Sequence, residues 1–327
     1  MEILFLTDSD SNDIEIIASQ APEGVHIHHL RRESVDEAIQ RAAEFEVVIG
    51  GRIPTDLLER ATNLRYLVIP YAGVPEMDRL NLLHYPDIAL LNSHYNTLPA
   101  AEHAWALVLA AAKRIPHFDR DLRQGNWSGR YEQDLSVLLA GKTLLLIGYG
   151  AIGLQLAEIG KAFKMRVQAI KRTPGSAPQL DRLGTADDLH TFLPDADVIV
   201  ISLPGTEQTI DFIDQEAFAK MRDGVIFVNV GRGPVVNEDA FYEAMKSGKI
   251  GGAGIDTWWV YPSQVNERAN TSPSHHPLDQ FDQLVMSPHR AAHVTDRGEA
   301  WVKDMGAIIR SIAAGKPINV VDRTHWY

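Results

Sequence analysis

The chain has 327 residues, 45% of them apolar, and sets 31 Lys and Arg against 43 Asp and Glu, a formal charge of -12. That length predicts about two domains with sizeable cores, while the acidic balance argues against nucleic acid as a partner and asks any anionic ligand to meet a local cluster of cations. Cysteine is absent, which excludes disulfides, thiolate nucleophiles and Cys-based metal sites; no H-E-x-x-H pairing occurs among the 13 histidines, so no metal is expected.

At the N-terminus MEILFLTDSD has no basic region leading an apolar signal core, and no apolar run reaches the roughly 20 residues that span a bilayer, so no membrane is expected and a soluble, cytoplasmic protein is. Glu2 to Thr7 predicts a first strand ending in a polar turn. A helix over about 14 to 20, a strand over Val25 to His29, a helix over Val35 to Glu44 and a strand over Val47 to Gly51 follow, and Leu64 to Ile69 and Ile88 to Leu91 extend the pattern. Strands alternating with helices predict a parallel sheet, so residues 1 to about 98 can form a small α/β domain.

Pro70-Tyr71-Ala72-Gly73-Val74 lies at the carboxyl end of a predicted strand, where open α/β sheets place ligands. Either its backbone N-H groups hold a substrate carboxylate or it is an ordinary glycine turn. Asn96 sits in a similar place after Leu91, to orient a substrate or to lead into a helix. Ala100 to Phe118 predicts one long helix, apolar nearly all round and therefore buried between domains, on which His103 reads as a satisfied buried histidine.

Lys142 to Phe163, KTLLLIGYGAIGLQLAEIGKAF, reads as strand, glycine turn and helix. In Gly148-Tyr149-Gly150-Ala151-Ile152-Gly153, Gly148 permits the tight turn, Gly150 lets backbone approach a pyrophosphate, and Gly153 lets the helix pack closely on the strand. The phosphates would sit on unpaired N-H groups at the positive end of the helix dipole. A bare G-x-G-x-x-G is weak; between an apolar run and a helix-period segment it points to a dinucleotide.

Arg166 to Ile170 is a second strand, and its end bears on the choice of cofactor. An acidic residue there would accept hydrogen bonds from the adenosine ribose, but this chain has Lys171-Arg172-Thr173. A lysine and a forked guanidinium attract a 2'-phosphate, so NADP is preferred with NAD possible; the alternative is a pair of solvated surface cations. Val198 to Ser202 is a buried strand ending in Leu203-Pro204-Gly205-Thr206, beside the cofactor. Ile226 to Val230 enters Gly231-Arg232-Gly233-Pro234, where an arginine between two glycines suits a fork for a carboxylate. A helix over Asn237 to Gly248, a strand over Gly251 to Thr257 ending at Asp256, a long loop over Val260 to Pro277, a short strand over Val285 to His289 and a tail helix over Thr295 to Ala314 complete the chain.

With Arg232 and His289 placed beside the glycine motif, the chain resembles the D-isomer-specific 2-hydroxyacid dehydrogenase family. AGV, NxxxxxxAEHA, GYGAIG, NVGRGPVVNEDAF, GAGIDTWW, HPL and SPH occur in the family's order from Ala72 to His289, whereas residues 1 to 65 match only in pattern. The resemblance implies two Rossmann-like parallel-sheet domains with a cleft between them. A flavodoxin-like substrate-binding domain would be built from 1-99 and 291-327, and a dinucleotide-binding domain from 100-290. It implies that Arg232 binds the substrate carboxylate and polarises its carbonyl, that His289 is the acid/base, and that Gly73 and Val74 offer backbone to the carboxylate. Asp256 would hold the nicotinamide carboxamide, with Leu203, Pro204, Thr209 and Val230 also lining the cofactor. A small 2-oxo or 2-hydroxy acid is the implied partner, in a homodimer to which the helix near 100 to 118 contributes.

One departure concerns catalysis. The family's Glu that pairs with the catalytic histidine is replaced by Tyr261, and a neutral phenol stabilises imidazolium less than a carboxylate does. Three readings stay open: an active reductase whose rate falls off at lower pH than its relatives', rescue by Glu267 in the inserted loop, or a cofactor-binding regulatory protein, of the corepressor kind, that has lost hydride chemistry. Trp258 and Trp259, next to Tyr261, form either an apolar wall for a substrate side chain or a surface for interdomain or subunit packing.

Overall fold

The computed structural model describes residues 1-131, 136-173, 175-324 and 326. It divides into two compact units, Met1–Asn96 with His293–Tyr327, and Thr97–Ala292. No helix among the described residues is long and apolar enough to cross a membrane.

In the first unit the elements run β1 (Glu2–Leu6), α1 (Ser11–Ser19), β2 (His26–Leu30), α2 (Val35–Gln40), β3 (Val47–Ile49), α3 (Thr55–Arg60), β4 (Tyr66–Ile69), α4 (Glu76–Leu82) and β5 (Ala89–Asn92). The strands are parallel in the order β2-β1-β3-β4-β5, the doubly wound order of flavodoxin-like sheets. Alternate residues of β1 serve opposite cores: Leu4 and Leu6 pack with Leu57 and Leu67, whereas Ile3 and Phe5 pack with Ile14, Trp301 and Met305.

The second unit continues with α5 (Thr97–Lys113), α6 (Ile115–Arg123), β6 (Thr143–Ile147), α7 (Ala151–Ala162), β7 (Arg166–Ile170), β8 (Arg182–Gly184), α8 (Leu189–Phe192), β9 (Val198–Ile201), α9 (Gln215–Lys220), β10 (Val225–Asn229), α10 (Glu238–Lys246), β11 (Ile250–Ile255) and β12 (Leu284–Met286). All seven strands are parallel, ordered β12-β11-β10-β9-β6-β7-β8, and β6 and β9 flank the point where the order reverses. The predicted helix over Ala100 to Phe118 is two helices. Arg114 takes a left-handed φ of 54° between them, and Pro116 falls in the first turn of the second.

The chain returns to the first unit through α11 (Arg297–Ala313), whose Trp301, Met305, Ile308 and Ile309 complete its core. Asp304 on α11 accepts from the Ser93 hydroxyl at 2.5 Å and the His94 N-H at 3.2 Å, and the Val321 N-H bonds to Leu90 O at 2.8 Å, covering the edge of β5.

Candidate active site

The glycine turn follows β6 at the reversal of strand order, where doubly wound sheets take their ligands. Gly148 has φ 105°, a conformation that a side chain would strain, and a Cβ there would approach the Ser202 hydroxyl to 2.9 Å. A Cβ on Gly153 would overlap the Gly148 carbonyl oxygen, so this glycine closes the helix against the turn itself. Gly153 thus packs close against the end of β6 as expected, and Gly160 adds a second close approach further along, where a Cβ would sit 2.7 Å from Leu144 and 3.1 Å from Val167. The Gly150 N-cap supplies no side-chain cap, and among the described residues the N-H groups of Ala151, Ile152 and Gly153 make no hydrogen bond. Open N-H groups at a helix start, on a turn too crowded for side chains, fit the phosphates of a dinucleotide.

Tyr149, inside the turn, accepts from the Gln179 amide at 2.5 Å and so ties the turn to the segment after β7. Lys171 and Arg172 begin that segment with Thr173, and neither cation pairs with a carboxylate among the described residues. The segment after β9 is folded on Thr209, whose hydroxyl donates to Pro204 O at 2.6 Å and accepts from the Thr206 N-H at 2.8 Å. Leu203 packs on the core, and Val230, at the end of β10, is buried and donates to Ile201 O.

Arg232 follows β10 by way of Asn229, a fully buried residue that accepts from the Gly231 N-H at 3.0 Å and donates to Arg232 O at 3.0 Å. Gly233 lies so close under Trp258 that a Cβ would overlap the Trp258 carbonyl. These contacts fix the arginine's backbone and leave its side chain exposed.

Beside it, the Tyr261 hydroxyl lies 2.9 Å from His289 Nδ1 and accepts from the Trp258 N-H at 3.1 Å. Desolvation of the hydroxyl raises the Tyr261 pKa, against the pull of the Trp258 N-H and the nearby Arg232 charge, so the phenol stays neutral near pH 7. Tyr261 is therefore in electrostatic reach of Arg232 and in hydrogen-bond reach of His289. Glu267 is used otherwise: its carboxylate accepts from the Ser263 hydroxyl at 2.7 Å and the Ser263 N-H at 2.9 Å, which holds its pKa down and caps its own turn. The idea that Glu267 replaces the missing carboxylate is thereby corrected.

His289 itself has φ 56°, a left-handed conformation uncommon for a residue with a side chain, and its N-H donates to Ser287 O at 3.0 Å. Asp256, expected beside a nicotinamide, is fully buried and faces the backbone around that histidine. It accepts from the Ser287 hydroxyl at 2.5 Å, Arg290 N-H at 2.8 Å and Ala291 N-H at 3.1 Å, with His103 Nε2 at 3.3 Å. Burial alone would raise its pKa; the bonds from His103, Ser287 and the two N-H groups outweigh it and bring the value down to about 2. Trp258 is buried with its indole N-H on Ser287 O at 2.8 Å, and Trp259 donates to Val236 O at 2.8 Å, so both indoles pack within the second unit.

Gly73, Val74 and Asn96 belong to the first unit. The Asn92 amide donates to Ala72 O at 2.7 Å and fixes the loop, and among the described residues the N-H groups of Gly73 and Val74 make no hydrogen bond. Asn96 is the last residue of that unit's first segment. Asn229, Ser287 and His103 were not singled out as site residues; only the first two stand close in sequence to Arg232 and His289.

Residues 105–291 match the family model for the NAD binding domain of D-isomer specific 2-hydroxyacid dehydrogenases. A D-3-phosphoglycerate dehydrogenase of Archaeoglobus fulgidus is 34% identical over 85% of this chain, which spans about half (51%) of that relative's length. A hydroxypyruvate reductase of Thermotoga maritima is 30% identical over 88% of this chain and 90% of its own. Among solved structures, a D-isomer specific 2-hydroxyacid dehydrogenase from Xanthobacter autotrophicus Py2, in complex with NADPH and MES, superposes with a TM-score of 0.78 at 24% identity, over 99% of this chain and 98% of that one, a likeness of fold.

Proposed function

Because the chain belongs to the D-isomer specific 2-hydroxyacid dehydrogenase family, we propose that it is an NADP(H)-linked reductase converting a small 2-oxo acid, of the glyoxylate or hydroxypyruvate kind, to the D-2-hydroxy acid. The observation that carries this reading is the pairing of Tyr261 with His289 Nδ1, with Arg232 acting on the same phenol, at the carboxyl ends of adjacent parallel strands. The name of the Thermotoga maritima relative, a hydroxypyruvate reductase, supports the substrate class, and the unpaired cations Lys171 and Arg172 support a 2'-phosphate.

When bound, the nicotinamide supplies the hydride that forms the new C-H bond. Arg232 takes the substrate carboxylate in its fork and draws charge toward the carbonyl oxygen. The N-H groups of Gly73 and Val74 serve as further carboxylate donors, and Asn96 orients the substrate. With Nδ1 engaged by Tyr261, His289 uses Nε2 to give its proton to the oxygen that becomes the hydroxyl, and takes it back in oxidation. Tyr261 suits both states, because Nδ1 keeps its hydrogen whether or not Nε2 carries one and the phenol oxygen can accept from it throughout.

A spectrophotometric screen of NADPH and NADH against a panel of 2-oxo acids tests the proposal. NADPH oxidation well above that of NADH is expected. Tight NADPH binding with no turnover on any acid would instead favour a cofactor-binding regulatory protein.

A further inference from the structure

Helix α5 lies directly on β11, and three matched steps set the register between them. A Cβ on Gly252 would approach Ala111 O to 3.2 Å, and one on Gly254 would approach Leu107 Cβ to 2.7 Å. Two residues advance a strand by about 6.6 Å and four advance a helix by about 6 Å, so the next step pairs position 256 with position 103. At that step stand Asp256 and His103, with His103 Nε2 3.3 Å from Asp256 Oδ1 and 2.9 Å from the Ser287 hydroxyl.

The proton inventory fixes how these groups bond. Asp256 can only accept, so the Ser287 hydroxyl spends its one proton on Asp256 at 2.5 Å. It then accepts from His103, whose Nε2 must carry hydrogen. Ser287 also donates its N-H to Ile255 O at 2.8 Å, and its carbonyl accepts from Trp258 and His289. Every polar group of Ser287 is thus committed, and Asp256 holds the N-H groups of Arg290 and Ala291 beyond the left-handed His289.

We infer that His103 is a positioning residue for His289, acting through Ser287 and Asp256, an inference that rests on the acid/base role proposed for His289. It donates from the helix side to a network that holds a strained backbone in one conformation, and a ring set in one direction is what proton transfer needs. Without this donor, the Ser287 hydroxyl keeps only its bond to Asp256 and the His289 segment loses one side of its support.

Two substitutions separate this role from packing. Glutamine places an N-H at about the reach of imidazole Nε2, so His103→Gln keeps the donor, whereas His103→Leu fills the space without one. In His103→Leu, kcat is expected to fall about tenfold with the KM for the 2-oxo acid and the NADPH dissociation constant within about twofold of the parent, and His103→Gln to stay within about threefold in kcat. The ring carbon and nitrogen NMR shifts of His289, assigned with His289→Gln, are expected to move in His103→Leu and to return toward the parent's in His103→Gln. This readout needs no turnover. A parent inactive on every 2-oxo acid would defeat the proposed function and leave the NMR comparison to decide the inference. Parent-like kcat and His289 shifts in His103→Leu, or equal defects in both variants, would overturn it.

Discussion

At the scale of single residues, the acid/base role proposed for His289 turns on its 2.9 Å contact with Tyr261. Exchange for a carboxylate at this position would stabilise imidazolium and hold the His289 proton more tightly. Because reduction needs the protonated ring, Tyr261→Glu is predicted to move the alkaline fall of the reductive kcat/KM up by about one pH unit, and a superimposable pH profile would show that residue 261 does not tune His289. Asp256 makes a separate prediction through stability. Its pKa is lowered from 3.8 to about 2, so its contribution is fully present above about pH 4 and is lost as pH falls through 2. The shift corresponds to about 2 kcal/mol. Urea unfolding across pH is therefore expected to show Asp256→Asn destabilised by roughly that amount at neutral pH, with the gap to the parent closing toward pH 2.

Among the elements, the segment between β11 and β12 carries Tyr261 and is latched to the start of α10. Glu238 accepts from the Ser274 hydroxyl at 2.6 Å, and from His275 through its N-H and Nδ1, each at 2.7 Å. His276 adds a contact to Asp239 at 2.6 Å and stacks on Tyr242 with ring centroids 4.4 Å apart. The same helix begins a few residues after Arg232, so the latch joins the segments bearing Tyr261 and Arg232. Removal of Glu238 by alanine leaves these donors without an acceptor, a cost of about 1–3 kcal/mol felt locally. Hydrogen exchange at residues 272–276 is predicted to quicken by about 5- to 150-fold, and unchanged protection would show that the latch does not hold the loop.

For the whole molecule, charge and exposed apolar surface bear on assembly. Trp127 is 62% exposed and Tyr131 78%, and Leu122 and Ile115 on α6 are exposed as well. Large apolar side chains left exposed are compatible with the homodimer that the family resemblance implies, to which the helix near 100 to 118 would contribute. Sedimentation is expected to give a dimer, and Trp127→Arg to shift it toward monomer; a parent that sediments as a monomer would refute the assignment.

The sequence alone determined the alternation of strands and helices, the glycine turn after β6, and the placing of Arg232 and His289 at strand ends. Those features are written in short contiguous stretches: an apolar run, a G-x-G-x-x-G, an arginine between glycines. The tertiary structure decided the rest, because it depended on residues distant in the chain. Arg114 breaks a stretch whose composition reads as one helix, Gly160 adds a second close approach of α7 to the sheet, and Glu267 caps its own segment. His103 and Asp256 are 153 positions apart and meet only because the glycines of β11 let α5 lie close against it. Local chain chemistry sets which elements form, while close packing sets which side chains are brought within bonding distance.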